Sequence, residues 1–148
     1  MRWTERFRNA QTACGTSGVF VVNLSRAALI AAAVAGGAAV ALGAFGAHAL
    51  GASLDEHALQ IWHTAVEYQF WHALALLGVS GIARTLETSA LRTAAIAFVV
   101  GIAFFSGSLY ALALGAPRMF GVITPIGGLA LIVGWVALAI HGWRCDRG

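Results

Sequence analysis

Three stretches of this chain run for more than twenty residues without a charged side chain: Ala27 to Ala47, Thr93 to Gly115 and Phe120 to Trp143. A helix rises about 1.5 Å per residue, so about 20 apolar residues cross the ~30 Å hydrocarbon core of a bilayer. No water reaches backbone groups there, so such runs must close their own hydrogen bonds as helices. A fourth segment reads as one helix from about Asp55 to Ala83, with no Pro and no Gly before Gly78. Its first part is amphipathic, with Leu59, Trp62 and Val66 at spacings of three and four, and its second part, from Tyr68, is nearly all apolar. The expected spans are therefore 27–47, 62–83, 93–115 and 120–143. Short connections between them predict an all-α fold, a four-helix transmembrane bundle of antiparallel up-and-down topology.

Composition agrees. Of 148 residues, 59% are apolar and 10% charged, whereas a soluble domain carries about 25% charge to cover its surface. A soluble enzyme, a disordered tail and a nucleic-acid-binding module are excluded. The net charge of +3 reads instead as basic flanks meeting anionic headgroups. The expected partners are membrane lipids, and other membrane subunits or a second copy of the chain, with no nucleic acid.

The arginines set an orientation. Arg2, Arg6, Arg8, Arg26, Arg84, Arg92, Arg144 and Arg147 fall on one side of a four-span topology, and only Arg118 on the other. The positive-inside rule makes both termini cytoplasmic. The location is the inner membrane, or the mitochondrial inner membrane if the chain is eukaryotic. Residues 1–24 read as a basic cytoplasmic arm and 25–148 as the membrane domain. The segment Arg26–Ala49 ends like a secretory signal at Ala47-His48-Ala49, but it is longer than the usual ~7–15 apolar residues and lies far from Met1, so it reads as a retained span. Cys14 and Cys145 fall on the reducing side and lack metal-ligand spacing, so neither a disulfide nor a metal is expected.

Inside the spans, the polar exceptions are the candidates, because an ionisable group in hydrocarbon is costly. His72 lies twelve residues before Arg84, near the midplane at 1.5 Å per residue. Tyr68 and Gln69 share its face, and Glu67 lies one turn or more above. His48 ends the first span, Thr64 opens the second, Ser106, Ser108 and Tyr110 lie in the outer half of the third, and Thr124 opens the fourth. These ten residues converge on an outer polar region. They can hold the helices in register by hydrogen bonds, or they can form an outward-opening pocket for a quinone, a lipid headgroup or a proton passed through His72 and Glu67. Trp62, His63, His141 and Trp143 read as interfacial. Gly36, Gly43, Gly107 and Gly128 read as helix-packing positions, since small residues let membrane helices approach. No zinc-protease, P-loop or nucleophile-elbow motif is present, so no catalytic residue, cofactor or metal site is expected and the chain reads as non-enzymatic.

Five strings carry a resemblance: Gly43-Ala44-Phe45-Gly46-Ala47-His48-Ala49-Leu50, Trp62-His63-Thr64-Ala65-Val66-Glu67-Tyr68-Gln69, His72-Ala73-Leu74-Ala75-Leu76-Leu77, Phe105-Ser106-Gly107-Ser108-Leu109-Tyr110 and Ile123-Thr124-Pro125-Ile126-Gly127-Gly128. In this order they resemble a family of small inner-membrane proteins of unknown function that includes bacterial YgdD and mitochondrial transmembrane protein 256. The resemblance implies a four-helix integral membrane protein. It also implies that His48, Thr64, Tyr68, Gln69, His72, Ser106, Gly107, Tyr110, Thr124, Pro125 and Gly128 are motif positions, and it brings no activity, substrate or cofactor. Residues 1–24 stand outside it as an extra arm.

Overall fold

The computed structural model describes residues 18–145, with side chains from 24 to 144. Cys14 and most of the expected arm lie outside the described residues. Among the described residues the chain is helical, with no strand. Helix α1 covers Gly18–Phe45 and runs on through a π-turn, Gly46–Leu50. Helix α2 covers Glu56–Ile82, α3 Ser89–Gly101, α4 Gly107–Ala113 and α5 Phe120–Cys145. A second π-turn, Ile102–Ser106, joins α3 to α4.

The boundaries have local causes. Asp55 caps α2 by accepting from the Ala58 N–H at 2.8 Å, and Glu56 sits in the first turn, where the helix dipole favours an acid. Thr88 caps α3 by accepting from the Leu91 N–H at 3.2 Å, which starts the third helix at Ser89, four residues before the expected span. After α4, Gly115 takes φ +89, and the Ala116 N–H reaches back to the Ala111 carbonyl at 2.9 Å. That left-handed turn suits Gly and closes the helix end. Helix α1 begins at Gly18, inside the segment read from sequence as arm.

Three helical stretches are long and apolar enough to cross a membrane: Leu24–Leu50, Ser89–Ala113 and Phe120–Arg144. Helix α2 has the length but is less apolar, because Glu67, Tyr68, Gln69 and His72 interrupt it.

Helices α1 and α2 run antiparallel in a register fixed by side chain to backbone bonds. Ser25 and Ser80 each donate a hydroxyl to the other's carbonyl, at 3.0 and 2.9 Å. Higher on the pair, Gln69 Nε2 donates to the Ala35 carbonyl at 2.8 Å and Trp62 Nε1 to the Leu42 carbonyl at 3.0 Å. Helix α5 packs along α3, while α1 leans on α2 and barely reaches α3. The chain is thus two helix pairs joined through α2.

The packing is inside out relative to a soluble bundle. Apart from Phe98, Leu76, Leu91 and Val79, the main core is built largely of alanines, among them Ala28, Ala32, Ala94 and Ala95. Large side chains such as Val34, Val122, Ile126 and Trp143 are more than half exposed. Lipid tails are as apolar as Leu, so only close backbone approach distinguishes protein from lipid contact, and small residues supply it. The closest approach to backbone is at Gly127, where a Cβ would overlap the backbone of Phe104 and Phe105. At Gly46 a Cβ would sit 2.6 Å from Trp62 Nε1.

Candidate functional site

The polar side chains of the spans fall into three groups. The first surrounds His72, which is buried. Its Nδ1 lies 2.7 Å from the Tyr68 carbonyl one turn back, and its Nε2 lies 3.2 Å from Trp135 Nε1 on α5. The carbonyl can only accept and the indole N–H can only donate. The proton therefore sits on Nδ1, and Nε2 is the acceptor. Both ring nitrogens are committed. Aromatic rings enclose the imidazole: Phe98 at 5.6 Å and Trp135 at 6.2 Å between centroids, with Tyr68 stacked at 6.0 Å. The Tyr68 ring packs in turn on Phe105 at 4.6 Å.

The second group is a relay of three helices. Tyr110 on α4 donates its hydroxyl to Gln69 Oε1 at 3.0 Å, while the same amide donates to the Ala35 carbonyl on α1. One buried glutamine thus bonds to α1 and α4 at once. Trp62 packs its ring on Tyr110 at 4.7 Å, so the relay is roofed by an aromatic pair. The third group is the Ser108–Thr124 hydroxyl pair at 2.7 Å, tying α4 to α5, with Ser108 also donating to the Phe105 carbonyl at 2.9 Å.

The remaining candidates stand apart. Ser106 Oγ is buried and has no partner among the described residues. A helical serine usually bonds back to the carbonyl four residues earlier; here the Gly107 N–H takes the Ile102 carbonyl in the π-turn. The Thr64 hydroxyl donates to the Gln60 carbonyl on its own helix at 3.0 Å. His48 is exposed in the first π-turn. Glu67 is exposed, and five residues turn an α-helix through roughly 140° net, which puts it on the far side of α2 from His72. The ten candidates therefore do not share one pocket.

A lateral groove of about 480 Å³ opens between α1 and the α3–α4 helix, floored by α2. Its walls include Ala31, Ala35, Ala38, Ile102 and Gly107, and its polar members are Gln69 and Tyr110, already bonded to each other. A smaller groove of about 310 Å³ continues it toward Leu24 and Ile96, sharing Ala31, Leu76 and Val99. No group of three or more metal-binding side chains exists among the described residues.

Sequence reasoning missed several of these residues. Trp135, the donor to His72, has no motif and looks like one apolar residue among many. His141, read as interfacial, is buried and bonds Thr88 through Nδ1 at 2.7 Å. The tight glycine contacts are at Gly46, Gly101, Gly127 and Gly134. Gly43 and Gly128 make ordinary contacts with Val66 and Phe105, Gly36 one with Ala73, and Gly107 faces open space. Helical spacing would have separated Glu67 from His72.

A family model described as a protein of unknown function, DUF423, matches residues 42–128. The chain is similar to the UPF0382 membrane protein YwdK of Bacillus subtilis, 43% identical over 69% of this chain and 84% of the relative. It is similar to the UPF0382 membrane protein SAB0533 of Staphylococcus aureus, 43% identical over 72% and 86%. It is 37% identical to the UPF0382 inner membrane protein YgdD of Escherichia coli, over 83% and 94%. No solved structure matches.

Proposed function

For a chain that belongs to the DUF423 family, whose relatives above are named UPF0382 membrane proteins, we propose a non-enzymatic role as a structural or accessory subunit of an inner-membrane assembly, or as a small homo-oligomer. It is a four-span antiparallel bundle with both termini inside. The orientation rests on the arginine asymmetry, and the antiparallel α1–α2 register supports the topology.

One observation carries the subunit reading. Two buried polar side chains at mid-height are bonded to other helices: Gln69 to Ala35 and Tyr110, and His72, held to Tyr68 on its own helix, to Trp135. Hydrogen bonds of this kind position helices, and they occupy the imidazole and the amide that would otherwise face a substrate. A proton path through His72 and Glu67 finds no support, because the two lie on opposite faces of α2. Purification in mild detergent followed by native mass measurement tests the reading. A defined oligomer or a co-purifying subunit is expected, and a lone monomer overturns it.

The lateral groove favours a second reading, a binding or transport protein for a lipid or quinone. Its volume of about 480 Å³ and its apolar walls suit one hydrocarbon tail. The polar head would then meet Gln69 and Tyr110, not the pocket around His72 and Tyr68 expected from sequence. Extraction and mass analysis of small molecules from the purified protein separates the two readings.

A further inference from the structure

We infer that the outward face of α2, from Gln60 to Gly78, docks a second copy of this chain, with Glu67 of each copy accepting a hydrogen bond from His63 of the other. The inference rests on the subunit reading above and names the partner.

Glu67 is the observation that demands a partner. It is exposed, and among the described residues nothing bonds its carboxylate. Its depth follows from the α1–α2 register. Gln69 lies opposite Ala35, so Glu67 is level with Gly37, the centre of the uncharged run Ala27 to Ala47. A carboxylate at that height facing lipid tails is among the least favourable placements a membrane helix can make; such groups face protein or a water-filled cavity.

The rest of the face fits a protein neighbour. Steps of three and four residues from Glu67 pass through Gln60, His63, Trp71, Leu74 and Gly78, all exposed. Among the described residues nothing lies within 4 Å of the place a Cβ would take at Gly78, so their packing does not need glycine there. Glycine weakens a helix, and its use on a membrane-facing stripe lets another backbone come close.

The stripe is complementary to itself. Glu67 as a carboxylate only accepts, while His63 keeps an N–H in either charge state. A two-fold axis along the membrane normal sets two α2 helices side by side, parallel and at equal depth, and makes each contact twice. His63 is four residues from Glu67, a vertical offset of about 6 Å, which two long side chains span. An acyl chain offers no donor to the carboxylate, whereas a second copy brings the His63 ring.

Disulfide trapping in native membranes tests this. In a background carrying Cys14→Ser and Cys145→Ser, single cysteines replace Leu74 or Gly78 on the stripe, and Ile132 on the exposed face of α5, 59% exposed. Oxidation with copper phenanthroline should give dimers of twice the chain mass from Leu74→Cys and Gly78→Cys, several-fold above Ile132→Cys. Adding Glu67→Leu should lower the stripe yield several-fold at unchanged membrane content of the chain. Dimers confined to Ile132→Cys, or undiminished by Glu67→Leu, overturn the interface. A conjugate of Leu74→Cys with a different protein overturns the second copy and leaves the subunit reading standing. No conjugate at the stripe, together with a monomeric native mass, overturns both.

Discussion

The indole N–H of Trp135 points at Nε2 of His72 across 3.2 Å, joining α5 to α2 at mid-height beside the Phe98 ring, which packs on both. This bond fixes the tautomer of the histidine, because the other ring nitrogen is already turned to the Tyr68 carbonyl. A histidine that first reads as a candidate for proton chemistry thus bonds α2 to α5.

Trp135→Phe keeps an aromatic ring but removes the indole and its donor. It should lower stability by about 0.5–1.5 kcal/mol, the net worth of one neutral hydrogen bond. His72→Ala also removes a buried ring and should cost about 2–4 kcal/mol, as large-to-small changes in packed sites do. A double-mutant cycle by thermal unfolding in detergent should show a coupling of ~0.5 kcal/mol or more. Strict additivity would mean that the bond contributes nothing.

Gln69→Leu strips α1 and α4 of a shared partner, leaving the Ala35 carbonyl and the Tyr110 hydroxyl without it. A loss of about 1–3 kcal/mol is expected. Tyr110→Phe should cost less, because the amide keeps its bond to Ala35. Unfolding midpoints of the two variants in one detergent check the order, and a larger loss for Tyr110→Phe would reverse the assignment of Gln69 as the hub.

Gly127→Ala and Gly107→Ala should move in opposite directions. A methyl at Gly127 meets the Phe104–Phe105 backbone, while at Gly107 it meets open space. The first should cost several kcal/mol or abolish folding, since overpacking against backbone cannot relax by a rotamer change. The second should leave stability unchanged or raise it by up to ~1 kcal/mol through helix propensity. Yield and melting temperature of the pair decide the matter.

Ser106→Ala removes a buried hydroxyl that bonds nothing among the described residues. Loss of a buried, unsatisfied group should be neutral or stabilising by up to about 1 kcal/mol. Destabilisation on thermal melting would show that Ser106 has a partner in the membrane.

Topology is checked by labelling. In a cysteine-free background, Leu86→Cys should react with a membrane-impermeant maleimide only after permeabilisation, and Ser53→Cys should react from outside. The reverse pattern would invert the orientation drawn from the arginines.

Sequence alone determined that the chain is helical and suited to a membrane, because uncharged runs of this length have few other folds. It also located the helices to within about four residues, except at the start of α1, which begins nine residues before the expected span. The early starts of α1 and α3 depart from expectation because hydropathy marks where a span must be apolar, not where a helix begins; at Thr88 the cap decides that. Helical periodicity was already enough to set Glu67 opposite Gln69. The pairing of residues distant in sequence was not legible. Trp135 with His72, Tyr110 with Gln69 and Thr88 with His141 meet across 63, 41 and 53 residues, and each depends on how two helices are rotated about their axes. In a chain where apolar residues cover every face of a helix, hydropathy carries no signal for that rotation. Close contacts at Gly46, Gly101, Gly127 and Gly134, together with the hydrogen bonds, set it. Tertiary structure therefore decided which polar groups are spent as fastenings, and it left Glu67 on the outside.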